Sequence, residues 1–186
     1  MTLRSILAAS LLLLPLLATA HNFVDGQRVA PVGVADRGEL ILDKDKFSYK
    51  NWNSAQLAGK VRVVQHIAGR SSAKEKNANL IEAIKAAGFL HDRYQTTTIV
   101  NTDDAIPGTG MFVRNSIESN KKALPMVAIY RRQQRPGARK AWQLDEKSSA
   151  IVVLDKNGRV QWAKDGALTQ QEVQQVIDLL HKLLNK

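Results

Sequence analysis

The chain has 186 residues, contains no cysteine and carries a formal net charge of +10 at pH 7. The absence of thiols rules out disulfides and thiol redox chemistry within these residues, so the fold depends on its hydrophobic core. The length fits one domain with a core of useful size.

The N-terminal residues predict an export signal. Arg4 gives a positively charged start, residues 6–17 form an apolar stretch, and residues 18–20 are Ala-Thr-Ala, a typical small-residue cleavage site. The apolar stretch is shorter than the ~20 residues that a membrane-spanning helix needs, which favours cleavage over an uncleaved membrane anchor. We therefore expect residues 1–20 to be a signal peptide and residues 21–186 to form a single exported domain.

The start of the expected domain predicts an N-terminal strand or hairpin. Residues 23–42 alternate apolar residues with Gly, Pro and Asp, and the sequence Asp-Arg-Gly at residues 36–38 is the expected turn. Residues 43–60 are polar with interspersed aromatic side chains, which indicates a connector that ends in a turn.

A strand, a helix and a second strand are expected next. Residues 61–68, VRVVQHIA, form a β-branched run of the kind found in a central strand. The following helix should have Ser71 or Ser72 as its N-cap and should stop at Gly88. Residues 94–102, YQTTTIVNT, predict the second strand.

The C-terminal half predicts a helix, a hairpin and a closing helix. Residues 111–124 have a helical pattern, and residues 150–154 and 159–163 are expected strands joined by an Asp-Lys-Asn-Gly turn. Thr169 followed by Glu172 is a capping box that begins an amphipathic helix. This order of elements indicates an α/β sheet with helices on both faces.

Much of the positive charge lies in RRQQRPGARK, residues 131–140. A run of like charges is most often a solvated face. The alternative is a surface on which Arg131, Arg132 and Arg135 hold anionic lipid or nucleic acid. An exported protein rarely meets nucleic acid, so we expect no nucleic-acid partner.

Several motifs resemble the thioredoxin-like superfamily. They are the opening GQRVAPVGVADRGELIL, the strand and loop GKVRVVQHIAGRSSA, and the closing hairpin and helix IVVLDKNGRVQWAKDGALTQQEVQQVIDLL. The runs AGRSSAKEKNANLIEAIK and HDRYQTTTIVNTDDAIPG are more narrowly similar to the YtfJ family of small periplasmic proteins. The resemblance implies an α/β fold with a thioredoxin-like central sheet flanked by helices, an N-terminal hairpin and a periplasmic location, and it implies no particular activity.

The same resemblance implies that both halves of a redox site are missing. The two cysteines of the superfamily would fall at about Arg70 and Ala73, and the cis-proline that faces them would fall near Ser149. A thiolate at a helix N-terminus is stabilised by the helix dipole and by unpaired N–H groups. Without the thiol, an anion-binding helix end would remain, with Arg70 beside it.

Five residues are candidates for contact with a ligand or partner: His66, Arg70, Ser71, Ser72 and Ser149. Arg70 and the two serine hydroxyls suit phosphate, carboxylate or an acidic side chain of a partner protein. A different hypothesis makes the protein a hydrolase, with Ser71 or Ser72 as nucleophile and His66 as base. The sequence AGRSSA lacks the strained Gly-x-Ser-x-Gly turn of many hydrolases, however.

Two further patterns are weak indications of metal binding. Asp103 and Asp104 precede a Pro/Gly loop and are more often a polar turn than a cation site. His21, as the expected N-terminal residue, could chelate Cu(II) together with another histidine. We expect neither a metal nor a cofactor.

Residues 124–137 depart from the family pattern, which implies a peptide like Tyr-Pro-Trp-Ser-Gln-Phe-Ile-Val-Asp-Ser-Asn-Gly at this place. One codon series for residues 124–136, read one base later, encodes that peptide followed by Pro. We therefore predict a paired frameshift over about 124–137, either real or a sequencing error. The basic run would then be a product of the shifted reading frame rather than a binding surface.

Overall fold

The computed structural model describes residues 21–123, 127–131 and 137–185. The predicted signal peptide, residues 1–20, lies outside this part. Residues 124–126 and 132–136, which are most of the predicted frameshift, also lie outside it, as does the side chain of Arg131. Within the part that is described, no helix is both long enough and apolar enough to cross a membrane.

A seven-stranded mixed sheet forms the centre of the fold, in the order β2-β1-β5-β4-β3-β6-β7. Strand β4 is parallel to β3 and β5, whereas β6 is antiparallel to β3 and β7. The strands are β1 Gly33–Asp43, β2 Lys46–Asn53, β3 Val61–Ala68, β4 Tyr94–Asn101, β5 Val127–Arg131, β6 Ser149–Leu154 and β7 Val160–Asp165.

Five α-helices connect or flank these strands among the described residues. They are α1 Ser71–Glu75, α2 Ala78–Ala87, α3 Gly110–Ala123, α4 Ala138–Ala141 and α5 Gln170–Leu184. The capping box predicted for α5 is present: the Thr169 side chain accepts from the N–H of Glu172, whose own side chain accepts from the N–H of Thr169. The α/β class and the N-terminal hairpin are confirmed.

The turn of that hairpin is not where the sequence predicted it. Strand β1 continues through residues 36–38, and the chain reverses at Lys44 and Asp45, which both have positive φ. Residues 36–38 instead form an irregularity in the register with β2, at which Gly38 adopts φ +83° against the backbone of Lys50. The predicted turn was therefore wrong, and the expected connector after it contains β2.

The helix after β3 is also different from its prediction, because it is two helices. Its N-cap is Arg70, not a serine, and Arg70 makes no capping hydrogen bond with its side chain. The break between α1 and α2 is at Lys76 and Asn77, and Asn77 has φ −122° and ψ 25°, outside the helical region. The C-terminal prediction is confirmed, since Gly88 ends α2 in the left-handed conformation.

Two layers cover the two faces of the sheet. On one face, α2 and α5 pack over β3 and β6 in a cluster that includes Val63, Leu80 and Val176. Further along the same face, α3 packs over Ile67 and Val100 in a separate, smaller cluster. The opposite face is covered by the N-terminal segment and α4, with buried Trp142 at the centre. The gap between the two clusters on the first face defines the candidate site.

Candidate functional site

A groove of about 800 Å³ lies between α2 and α3, over strands β3 and β4. We call it the α2–α3 groove. It begins at the carboxyl ends of the two strands, at Gly69 and Arg70, and ends near Phe89 and Tyr94 at the start of β4. Its volume falls in the range typical of small-molecule sites.

The walls of the groove are apolar. Ile81 and Ile84 line it from α2, and Phe112 and Val113 line it from α3. Phe112 is 74% exposed, and Ile106, in the loop before α3, is 54% exposed. Large apolar side chains at the mouth of a groove are typical of a surface that binds something.

The floor contains a buried polar side chain without a partner. Gln65 lies in the middle of β3, is only 5% exposed and lines the groove. Its Nε2 atom has no hydrogen-bond partner among the described residues. A buried unsatisfied donor costs about 1–3 kcal/mol, so such a group in a folded protein calls for an acceptor from elsewhere.

Gln65 is next to Thr98 in the parallel register of β3 and β4, and Thr96 and Thr98 are part of the same floor. The Thr96 hydroxyl is 2.9 Å from the hydroxyl of Tyr94. Burial is the main cause that raises the pKa of Tyr94, and the hydrogen bond with Thr96 opposes it, so Tyr94 is a neutral hydroxyl at physiological pH. The floor is therefore polar but uncharged.

The positive charge of the groove lies at the end that is next to the carboxyl end of β3. Arg70 and Lys74 line this end, and neither forms an ion pair with a carboxylate of the described residues. The Lys74 Nζ atom lies 3.4 Å from the Ser116 hydroxyl of α3, across the groove. The one acidic side chain that lines the groove among the described residues, Glu82, is paired with Lys85 at 2.7 Å. The net positive end favours an anion.

Arg70 itself is already engaged. Its Nε and Nη2 atoms donate to the backbone carbonyl of Asp104, at 2.8 and 2.5 Å. This contact fixes the loop before α3 to the end of β3. Arg70 therefore shapes the end of the groove and adds charge to it, while much of its donor capacity is used inside the protein.

The two serines differ from each other, and the short helix weakens the predicted anion site. Both hydroxyls are on exposed residues, but Ser71 lines the groove and Ser72 does not. Helix α1 has five residues, little more than one turn, so few peptide dipoles add up at its N-terminus. The helix end alone is thus a poorer anion site than the sequence suggested.

His66 does not join the serines. Successive residues of a strand point to opposite faces, and His66 lies on the face that carries Trp142, with their ring centroids 6.5 Å apart. It is buried and does not line the groove. The structure therefore does not assemble the serine and histidine pair that a hydrolase mechanism would need.

Ser149 is also away from the groove. It is completely buried at the start of β6, and its hydroxyl accepts a hydrogen bond from Nδ2 of Asn77 at 3.0 Å. The same Nδ2 atom donates to the carbonyl of Gly166, while Oδ1 of Asn77 accepts from the N–H of Leu168. Ser149 thus belongs to a buried network that holds the break between α1 and α2.

The residues that gave weak indications of metal binding, Asp103, Asp104 and His21, are not part of a metal site among the described residues. In that part of the chain no group of three or more potential ligands comes together. The Asp104 carboxylate accepts from Nδ2 of Asn101 at 3.0 Å and lies 4.0 Å from Nε of Arg139. Asp103 and Asp104 are in a one-turn 3-10 helix after β4. These contacts give Asp104 a structural role in the loop that holds Arg70.

Sequence reasoning missed the groove and its most unusual residue. Gln65 is the polar member of an alternating set that is otherwise apolar, with Val61, Val63 and Ile67 on the same face of β3, and that contrast was the available signal. Lys74 gave no signal, because a lysine in a predicted surface helix is ordinary. That Lys74, Ile106 and Phe112 share one groove follows only from the packing of α1 and α3 over the sheet.

Comparison with known sequences gives a family of unassigned function. The chain matches, over residues 23–183, the model of a family described as bacterial protein of unknown function (YtfJ_HI0045). It is 72% identical over 184 residues to the uncharacterized protein YtfJ of Escherichia coli strain K12, and the match covers 99% of this chain and 100% of that protein.

Solved structures give the fold. The crystal structure of the thioredoxin-like superfamily protein SPOA0173 is similar with a TM-score of 0.53 and 14% identity, covering 81% of this chain and 97% of that one. A thiol-disulfide isomerase from Corynebacterium glutamicum is similar with a TM-score of 0.55 and 16% identity, covering 80% and 96%. At such identities the likeness concerns the fold alone, and the fold is thioredoxin-like.

Proposed function

Because this chain belongs to the YtfJ_HI0045 family and has a thioredoxin-like fold without cysteine, we propose that it is a periplasmic binding protein with no thiol redox activity. Its ligand is a small anion or an acidic segment of a partner protein. The ligand enters the α2–α3 groove at the end that Arg70, Ser71 and Lys74 line.

One observation carries this function: the strand-to-helix junction with Arg70 and Ser71 opens into a groove of about 800 Å³. The groove has apolar walls, a few polar groups on its floor and net positive charge at this end, which is the usual composition of a binding site. A hydrolase is less well supported, since His66 is on the other face of the sheet.

The location follows from the predicted signal peptide. We expect a protein expressed with its own N-terminus to appear in the periplasmic fraction, with His21 as its first residue by N-terminal sequencing. Recovery of the intact chain in the cytoplasmic fraction would refute the export part of the proposal.

A pair of adjacent positions tests the binding part. A photo-crosslinking amino acid at Ser71 faces the groove, whereas the same group at Ser72 is the matched control, because Ser72 is exposed but lies outside the groove. After irradiation of living cells we expect a covalent adduct from position 71 and none from position 72. Lys74→Glu should reduce the adduct at position 71, since it reverses the charge at this end.

Adducts of equal yield at both positions would indicate non-specific contact and would refute a site in the groove, and so would their absence at both. Lys74→Glu is preferable to Arg70→Ala as the charge test. Arg70 also holds the Asp104 carbonyl, so its removal would change the loop as well as the charge.

A further inference from the structure

The Nε2 atom of Gln65, which has no hydrogen-bond partner among the described residues, restricts the chemistry of the ligand. Nε2 is a donor, so the group that meets it must be an acceptor oxygen. Gln65 lies in β3 three residues before Ala68, at which the strand ends, so the acceptor would lie between the middle of the floor and the positive end. An acceptor that is also an anion satisfies both features at once.

The rest of the groove suits the apolar chain of a ligand. From Thr98 back to Tyr94, the floor follows β4 for roughly 13 Å at about 3.3 Å per residue. The walls of the groove include Ile84 and Phe89 on the side of α2 and Val113 and Ile117 on the side of α3. A ligand with one polar end and one flexible apolar body would bury the body here, and each buried CH₂ group contributes about 0.8 kcal/mol.

A peptide suits this groove less well. Strand β4 is paired on both sides, with β3 and β5, so the floor offers no free strand edge to which a peptide could add. A peptide would bring an N–H and a C=O with every residue, and each left unpaired costs about 2–7 kcal/mol. The few polar groups of the floor match a ligand with few polar groups.

We propose that the α2–α3 groove binds a single-chain aliphatic carboxylate, with one carboxylate oxygen accepting a hydrogen bond from Nε2 of Gln65 and the chain extending toward Phe89. The proposal rests on the binding function assigned above to the same groove. Lys74, at the positive end, supplies the favourable potential for the carboxylate.

Isothermal titration calorimetry with dodecanoate, below its micelle concentration, tests the ligand class. Two probes separate the parts of the ligand: butanoate keeps the carboxylate without the long chain, and dodecyltrimethylammonium keeps the chain with the opposite charge. We expect saturable binding of one dodecanoate per protein and no measurable heat from the other two. Equal binding of dodecanoate and dodecyltrimethylammonium would overturn the proposal, because it would show a surface that takes any detergent.

Gln65→Met tests the hydrogen bond. Methionine has a similar volume and no donor, so we expect dodecanoate to bind roughly tenfold more weakly or worse, as loss of a hydrogen bond to a charged group does. Gln171→Met, on the exposed part of α5, is the matched control and should bind as the unaltered protein does. Unchanged affinity in Gln65→Met would overturn the proposal.

Stability separates a binding role of Gln65 from a structural one. Because its donor is unpaired among the described residues, Gln65→Met should unfold at the same urea concentration as the unaltered protein or at a higher one. A large loss of stability would mean that the amide is needed for folding and would count against the assignment.

Blocking the groove gives an independent variant. Ser116→Trp places a large side chain on α3 at the groove, while Asn115→Trp places it one residue away on an exposed position that does not line the groove. We expect dodecanoate binding to be lost in the first and kept in the second. Binding that survives Ser116→Trp would overturn the proposal.

The two proposals can fail separately. If position 71 gives an adduct and dodecanoate does not bind, the groove is a binding site and the carboxylate proposal is wrong. If neither position gives an adduct and dodecanoate does not bind, both proposals are wrong.

Discussion

Asn77→Ala should be among the most destabilising substitutions of a polar residue in this protein. Asn77 is 1% exposed and joins its own segment to two others, with hydrogen bonds of 3.0, 3.0 and 2.9 Å to Ser149, Gly166 and Leu168. Each such bond contributes about 1 kcal/mol, and a buried group left unpaired costs about 1–3 kcal/mol. The expected loss is therefore about 3–4 kcal/mol.

Urea unfolding followed by far-UV circular dichroism measures this loss, provided that the dependence of the free energy on urea stays the same. The matched control is Asn115→Ala, because Asn115 is exposed on α3, and it should change stability by no more than about 0.5 kcal/mol. Equal midpoints for the two variants would refute the assignment of a structural role to the Asn77 network.

Asn77→Asp adds a test of the donor. An aspartate can still accept from the N–H of Leu168, but its second oxygen would face the carbonyl of Gly166 where Nδ2 now donates. That repulsion and the burial raise the pKa of the introduced carboxyl above its value of ~3.9 in the unfolded chain. Stability should therefore be highest below that value and fall as the pH rises through the folded pKa. A pH-independent difference from the unaltered protein would contradict the argument.

Two other positions give predictions of a different kind. Hydrogen bonds from Lys164 are the main cause that lowers the pKa of Glu172, so its contribution to stability is present above its unfolded pKa of ~4.3 and lost as the pH falls through the folded value. Glu172→Gln should flatten the stability curve in this acidic range in urea unfolding, and an unchanged curve would contradict this. At Gly38, an added methyl group would overlap the carbonyl of Lys50, so Gly38→Ala should lower the thermal midpoint more than Gly26→Ala, which has positive φ but open space. Equal midpoints would show that the backbone there shifts freely.

Much of the fold was visible in the sequence, because the signals that specify it are local. The strand at residues 61–68 was predicted at its observed bounds, since a β-branched run needs burial on both faces. The closing helix was predicted from Thr169 and Glu172, because a capping box involves residues three apart. The left-handed end of α2 at Gly88 is local for the same reason.

The candidate site was only partly visible. Of the five candidate residues, Arg70 and Ser71 line the groove, whereas His66, Ser72 and Ser149 do not. For His66 the reason is the alternation of side chains along β3, which sends it to the face opposite Gln65. An offset of one residue along a strand therefore decided which polar side chain belongs to the groove.

By itself, the sequence determined the α/β class, the exclusion of thiol chemistry and the elements whose start or end depends on neighbouring residues. Tertiary structure alone decided the break at Asn77 and the α2–α3 groove. Asn77 bonds Gly166 and Leu168, 89 and 91 residues away, and no local pattern specifies such partners. The groove exists because α2 packs with α5 while α3 packs over a separate cluster, which leaves a space between α2 and α3 above the floor that contains Gln65. Spacing along a chain does not record how far apart two packed helices lie.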